Sequence, residues 1–297
     1  MRWCDRVYGD AAINDLGILA LIDCPTFQRL RRIRQAGPSA IAFPFKTVTR
    51  FEHSLGVFLL LGRLGAGPRE QVAGLLHDVS HTAFSHAVDF LVTSEEQDHH
   101  ERLKPIFLQR PDLAGPLAAL GYAPEEFFDD SLYPLLERPL PWLCADRLDY
   151  FFRDGLACGV TTPPVVSRLL GALTVVEGTI AFADQGLARE AADLFAVMNR
   201  DWWASPTEAY IYNTFADALR EGMAVGALDE ADLLSDDAAI LAKLEASGGP
   251  AVAGILARIR DFHPGRLEGF APKVEPKARW LDPPVRVGAT FRRLSEC

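Results

Sequence analysis

The stretch Gly74 to His86, GLLHDVSHTAFSH, constrains this chain more than any other. It sets His77, Asp78, His81 and His86 into ten positions of an otherwise apolar segment. The chain has seven histidines, and six of them (His53, His77, His81, His86, His99 and His100) fall between residues 53 and 100. Packing alone does not produce such crowding. Gln71 to Leu76 reads as a helix running into the core. If that helix continues, His77 and His81 lie one turn apart on a shared face. Asp78 places a carboxylate beside the first imidazole. One helix would then offer both donor types to a single divalent ion. That mixture suits Mn, Fe, Co, Ni, Zn or Mg and separates them poorly. A solvated helix end would explain one histidine, but an adjacent His-Asp pair inside Leu-Leu-His-Asp-Val argues for metal chemistry.

The chain has 297 residues, 49% hydrophobic and 24% charged. That is enough for one large core, or a core with a small appendage. The net charge of -10 argues against non-specific binding to nucleic acid or anionic membrane, while a local basic pocket with a metal could still take a nucleotide. No apolar run reaches the roughly 18 residues of a membrane span. The five cysteines are an odd number without CxxC spacing, which predicts reduced thiols. MRWCDRVYGD lacks the apolar region of a signal peptide, so a cytoplasmic location is expected.

Taken in order, residues 1–10 predict a short strand or extended arm. Ala11 to Asp23 and Pro25 to Gln35 predict two helices, the second opened by Pro25 and stopped at Gly37-Pro38. Ala40 to Val48 reads as extended. A helix opens at Thr49 and runs through Leu64, with His53 in its first turn. A lone histidine there is commonly a cap or core residue. Its distance from His77-Asp78, one helix-turn-helix length, lets it turn into the same site. Phe84 to Val92 and the charged run from Ser94 to Glu101 predict further helices, and Pro141 to Asp154 a strong one. Within that last helix Asp146 points inward, because buried carboxylates need a partner or a metal. The spacing of Asp149 and Arg153 also allows a plain i,i+4 surface pair. Leu173 to Val176 and Thr179 to Phe182 predict a β-hairpin. Helices at about 186–204, 206–225, 229–233, 235–246 and 249–259 follow. The basic, proline-rich end reads as a solvated strand-and-loop tail.

His53, then His77-Asp78, then Asp146 resembles the H…HD…D order of the HD-domain phosphohydrolases, closest to the deoxynucleoside triphosphate triphosphohydrolase branch. IDCPTFQRLRRIRQAG, RFEHSLGV, LLHDVSHTAFSH, HHE and DYFFRD stand here in the order of that branch's motifs. The resemblance covers about residues 5–160. It implies an all-α HD-domain helical bundle with a small β-hairpin and a short C-terminal strand/loop tail. The expected division is a catalytic core at 1–160, a helical extension at 161–260 and a basic tail at 261–297.

The same resemblance implies a divalent metal held by His53, His77, Asp78 and Asp146. It implies catalytic roles for His81, Asp89 and His100, with Asp89 orienting a histidine. The implied phosphate contacts are Arg50 and Arg147, and the sugar contacts Gln35, Tyr150 and Asp154. His86 and Tyr210 complete the substrate set. The implied activity is phosphoester hydrolysis on a nucleotide, (d)NTP first. The implied partners are a nucleotide or other small phosphoester, neither nucleic acid nor membrane, and a homo-oligomer that no motif here demonstrates.

Two departures bear on the substrate. The family's Gln-Leu is Gln35-Ala36 here, which removes bulk near the sugar 2′ position and predicts weaker discrimination against ribose. RDWWASPTEAYIYN also replaces an Arg- or Lys-rich run, so the cations that grip a triphosphate from that side are largely missing. Three alternatives stand: a phosphodiesterase or phosphomonoesterase on another nucleotide, a nucleotide sensor without turnover, and a zincin. HDVSH imitates the zincin HExxH, but the shorter acid and the missing third-ligand segment count against it.

Overall fold

The computed structural model describes residues 1–92 and 98–297. Residues 94–97 of the run expected to open a helix lie outside the described residues, and the helix there runs His99–Leu108.

Three helices build the centre. The first, Arg50–Arg63, starts on a capping box: Thr49 Oγ1 accepts from the Glu52 N–H (3.2 Å) and Glu52 Oε2 accepts from the Thr49 N–H (3.0 Å). It packs along Pro68–Leu76 and along Ala145–Ala157. Phe51, Leu55, Leu61, Leu75, Leu148 and Phe152 on these helices are fully buried. Two glycines permit the close approach. A Cβ on Gly74 would lie 2.3 Å from Leu61 Cδ1, and one on Gly56 would lie 2.0 Å from Arg153 Nη2 and 2.1 Å from Asp149 Oδ1. Gly56→Ala is therefore expected to lower stability by about 1–3 kcal/mol through overpacking. The gain in helix propensity, about 1 kcal/mol, opposes this but is the smaller effect. A urea midpoint at or above wild type would sink that expectation.

A second apolar cluster forms where Pro206–Ala224 packs on Asp237–Ser247 and Gly249–Arg260. Phe84, Val88 and Phe215 sit inside it. Among the described residues no helix is long and apolar enough to cross a membrane.

The fold is helix-rich but not all-α. Arg2–Asp5 and Gly9–Ala12 pair as an antiparallel ribbon. The expected hairpin, Leu173–Val176 with Thr179–Phe182, turns at Glu177 and Gly178, both with positive φ. It is half of a four-stranded sheet. Pro284–Val287 lies parallel to Thr179–Phe182 at Phe182 and Val285, and Thr290–Arg293 closes the other edge. All four residues of Thr179–Phe182 are buried because it is an inner strand.

Several boundaries move for local reasons. Residues 11 and 12 belong to the ribbon, so the next helix starts at Leu16, capped by Asp15. The Pro25 helix tightens to a 3₁₀ turn at Arg29–Arg32 and ends where Arg34 bridges Thr49. Ser39–Ala42, expected to be extended, is a helical turn. Cys144 is extended, so the strong helix starts at Ala145 rather than Pro141.

Two shifts reach the His-rich segment. The Pro68 helix ends at Leu76 with His77 as its cap, so His77 and His81 do not share a helix. Phe84 and Ser85 adopt φ of 58° and 55°, which delays the following helix to Ala87–Leu91. Left-handed backbone costs a non-glycine residue about 1 kcal/mol or more. It is held here from outside: Phe84 N–H donates to Asp237 Oδ1 (2.6 Å), and Ser85 Oγ donates to Arg34 O (2.7 Å).

Candidate active site

Three helix ends converge on one point. The first turn of Arg50–Arg63 brings His53, the end of Pro68–Leu76 brings His77 and Asp78, and the first turn of Ala145–Ala157 brings Asp146. His53 Nε2 lies 3.1 Å from His77 Nε2, 2.9 Å from Asp146 Oδ1 and 3.6 Å from Asp78 Oδ2. His77 Nε2 lies 3.5 Å from both Asp78 Oδ1 and Asp146 Oδ1. Neighbouring ligands of one ion, each about 2.1 Å from it, sit about 3 Å apart, so these spacings suit a shared cation.

The tautomers strengthen the point. His53 Nδ1 lies 2.7 Å from Asp149 Oδ2, and His77 Nδ1 lies 2.8 Å from Gly74 O. Both partners only accept, so both Nδ1 atoms carry protons and both Nε2 atoms are free to ligate. Two Nε2 lone pairs aimed at each other across 3.1 Å repel unless positive charge lies between them. The carboxylates call for that charge. Burial opposes charging His53, yet Asp146, Asp149 and Asp78 overcome it and carry the ring up to about 10. The same contest, decided by Asp78 and Asp146, raises His77. Burial also opposes ionising Asp78 and Asp146. Arg50 with His77 and His81, and His53 with His77, respectively hold them well below the usual carboxylate range. A divalent cation meets the same demand, and this donor set fits one.

A second group of imidazoles stands beside the first. His81 Nε2 lies 3.2 Å from Asp78 Oδ1, and its ring stacks on His100 at 4.0 Å. His86 meets both rings edge-on, and its Nδ1 lies 3.0 Å from Asp89 Oδ2. Asp89 Oδ1 also accepts from His99 N–H (3.1 Å). Asp89 thus orients His86. Burial, then the Arg50 charge, pulls His81 down to about 3. Burial and the neighbouring imidazoles lower His100 as well.

His53, His77, Asp78, Asp146 and the three imidazoles of His81, His86 and His100 border a cavity of about 610 Å³, within the roughly 300–1,000 Å³ of small-molecule sites. Gln35, Ala36, Arg50, Tyr150 and Asp154 also line it. Gln35 Oε1 is buried without a hydrogen-bond partner among the described residues, and Asp154 Oδ2 accepts from Trp203 Nε1 (3.0 Å).

Three expected contacts land differently. Arg50 does not stand free: Nη1 donates to Asp78 Oδ2 (2.6 Å) and Nε to Ser85 Oγ (3.0 Å). Arg147 borders the cavity, but its guanidinium donates to Trp142 O (2.6 Å) and Arg138 O (3.1 Å) and lies 3.5 Å from Glu137. Tyr210 packs on Phe262 and Phe270 in the second core, away from this cavity. Tyr212 lines it instead, because two residues along a helix turn the side chain by about 200°.

Other residues around the site carry no sequence signal of their role. Asp149 and Arg153 are not a surface pair. Both are fully buried, and Arg153 bridges Asp149 (2.8 Å) to Asp5 (3.1 Å) behind His53. Lys46 Nζ donates to Ser39 Oγ (2.8 Å) and Glu208 Oε2 (3.0 Å) below Trp202. Pro276, Lys277 and Arg279 of the supposed solvated tail also reach the wall.

Sequence comparisons identify the family. The HD domain family matches residues 50–118. An uncharacterized protein, YdhJ, of Bacillus subtilis is 38% identical over 271 residues, covering 89% of this chain and 81% of that protein. The metal-dependent phosphohydrolase cns2 of Cordyceps militaris is 30% identical over 295 residues, covering 95% of this chain and 84% of that one. The deoxynucleoside triphosphate triphosphohydrolase SAMHD1 of Danio rerio is 39% identical over 215 residues, but only 33% of that protein is covered. The chain belongs to the HD-domain metal-dependent phosphohydrolases.

Proposed function

We propose that this protein hydrolyses a phosphoester bond of a nucleotide, a (d)NTP first, with His53, His77, Asp78 and Asp146 as the ligands of one divalent ion. The observation that carries the metal assignment is the pair of facing Nε2 atoms with their Nδ1 protons fixed by Asp149 and Gly74. A bound ion supplies Lewis acidity toward a phosphoryl oxygen and toward water. Arg50 holds Asp78 in place and adds positive charge beside the phosphate. His86, aligned by Asp89, gives a proton to the leaving oxygen. His81 and His100, lowered by burial, stay neutral near pH 7 and act as hydrogen-bonding partners of the phosphate. Gln35 Oε1 accepts from a sugar hydroxyl.

A second reading, a phosphomonoesterase or phosphodiesterase, is favoured by one observation. Arg50 and Arg147 both have their charge engaged inside the protein, on Asp78 and on Glu137. A panel of NTPs, dNTPs, mono- and cyclic nucleotides with Mn, Fe, Co, Ni, Mg and Zn separates the two. Inorganic triphosphate from a dNTP supports the first. Orthophosphate from a monophosphate, or a ring-opened monophosphate, supports the second. Chelation by EDTA abolishes either. Tight nucleotide binding with bound metal and no product would defeat both in favour of a sensor.

A further inference from the structure

The C-terminal segment around residues 273–279 has no helix or strand, yet it is fastened at both ends. Asn213 is buried, with 4% exposure, on the Pro206–Ala224 helix. Its Oδ1 accepts from the N–H groups of Lys273 (3.0 Å) and Val274 (3.1 Å), and its Nδ2 donates to Val274 O (2.9 Å). Val274 is buried with Phe90 and Tyr212. At the other end Asn199 Oδ1 accepts from the Arg279 N–H (2.8 Å). A segment tied by two side-chain amides keeps its side chains in place.

Between these ties Lys277 and Arg279 reach the cavity. Arg279 lies 6.0 Å from the Tyr150 ring centroid and donates to Lys277 O (3.0 Å). Neither forms an ion pair among the described residues. The other cavity cations are engaged: Arg50 on Asp78, Lys46 on Glu208 and Arg147 on Glu137. Tyr150 stands one helical turn beyond Asp146, about 6 Å along the axis. A cation over Tyr150 is therefore displaced from the phosphate at the metal ligands and suited to a neighbouring one.

We propose that this segment is an anion-recognition strap, in which Lys277 and Arg279 bind a substrate phosphate other than the one being cleaved. This rests on the nucleotide reading above and narrows it to nucleotides with more than one phosphate. Charge-assisted contacts of this kind are worth about tenfold or more in affinity.

The test is equilibrium binding of dATP and of dAMP to the manganese-loaded full chain. Wild type should bind dATP at least about tenfold more tightly than dAMP. The double variant Lys277→Ala/Arg279→Ala should lose about tenfold for dATP and under about threefold for dAMP. Lys277→Ala/Arg279→Lys should recover most of the dATP loss, because it keeps a charge at 279. Equal losses for both ligands, unchanged dATP binding, no preference in wild type, or no binding of either ligand would each overturn the strap. Product release is scored separately. Binding as expected, with no hydrolysis by wild type, leaves the strap standing and removes the hydrolase reading.

Discussion

Asp146→Ala is expected to reduce phosphohydrolase turnover by about 10³-fold or more. A ligated metal contributes several kcal/mol to transition-state stabilisation, and about 4 kcal/mol corresponds to 10³ in rate. Asp146 supplies the only described carboxylate oxygen within 3 Å of His53 Nε2, at 2.9 Å, so its loss opens the ligand set. The variant should still fold, since the Asp146 side chain is 22% exposed and no apolar packing is removed. Metal content per chain, measured by elemental analysis, should fall in parallel with turnover. Asp78→Ala should match it in rate but not in stability, because it also strands the buried Arg50 guanidinium. Full metal content with turnover within about threefold of wild type would remove Asp146 from the ligand set.

The convergence of these four residues was legible in part, because the helices that carry them leave a signal in the sequence. Thr49 with Glu52 signals the start before His53, and the apolar run to Leu76 signals the helix before His77. Order along the chain then did the rest, since the H…HD…D pattern needs no contact information. The surroundings were less legible. Asp149 and Arg153 at i,i+4 satisfy a surface pair as well as a buried one; spacing states adjacency and says nothing about exposure. Their neighbours Leu148, Phe151 and Phe152, all fully buried, were the available signal. Tyr210 and Tyr212 could be told apart only by knowing which face of a long helix meets the cavity. The Asn213 and Asn199 ties were out of reach, because extended segments held by side-chain amides leave no periodicity. The four-stranded sheet was missed for a related reason: its strands are four residues long and two of them come from the far end of the chain.

Asp149→Ala should then separate support of the site from membership in it. Burial opposes the Asp149 carboxylate, yet Arg153 and His53 hold it below the usual range, so it is ionised in the fold. Removing it leaves the fully buried Arg153 with Asp5 as its remaining carboxylate partner. Breaking a buried pair from one side costs about 3–5 kcal/mol, a large fraction of a domain's total stability. Asp149→Leu/Arg153→Met removes both charges and should be less destabilised than the single variant, since Asp5 keeps the N–H groups of Val7 and Tyr8. The metal should weaken too, by about 10–100-fold, because His53 loses the partner that fixes its Nδ1 proton. A titration gives the readout that loss of packing alone would not move. In the metal-free wild type, His53 is raised to about 10. A raised imidazole stabilises the fold fully below its ordinary value near 6.5, and that contribution fades as pH rises through about 10. In Asp149→Ala the His53 ring should titrate lower, and the fading should begin at lower pH. If His53 keeps its wild-type titration by NMR while stability drops, Asp149 serves packing and charge pairing with Arg153, and the imidazole is held by Asp146 and Asp78.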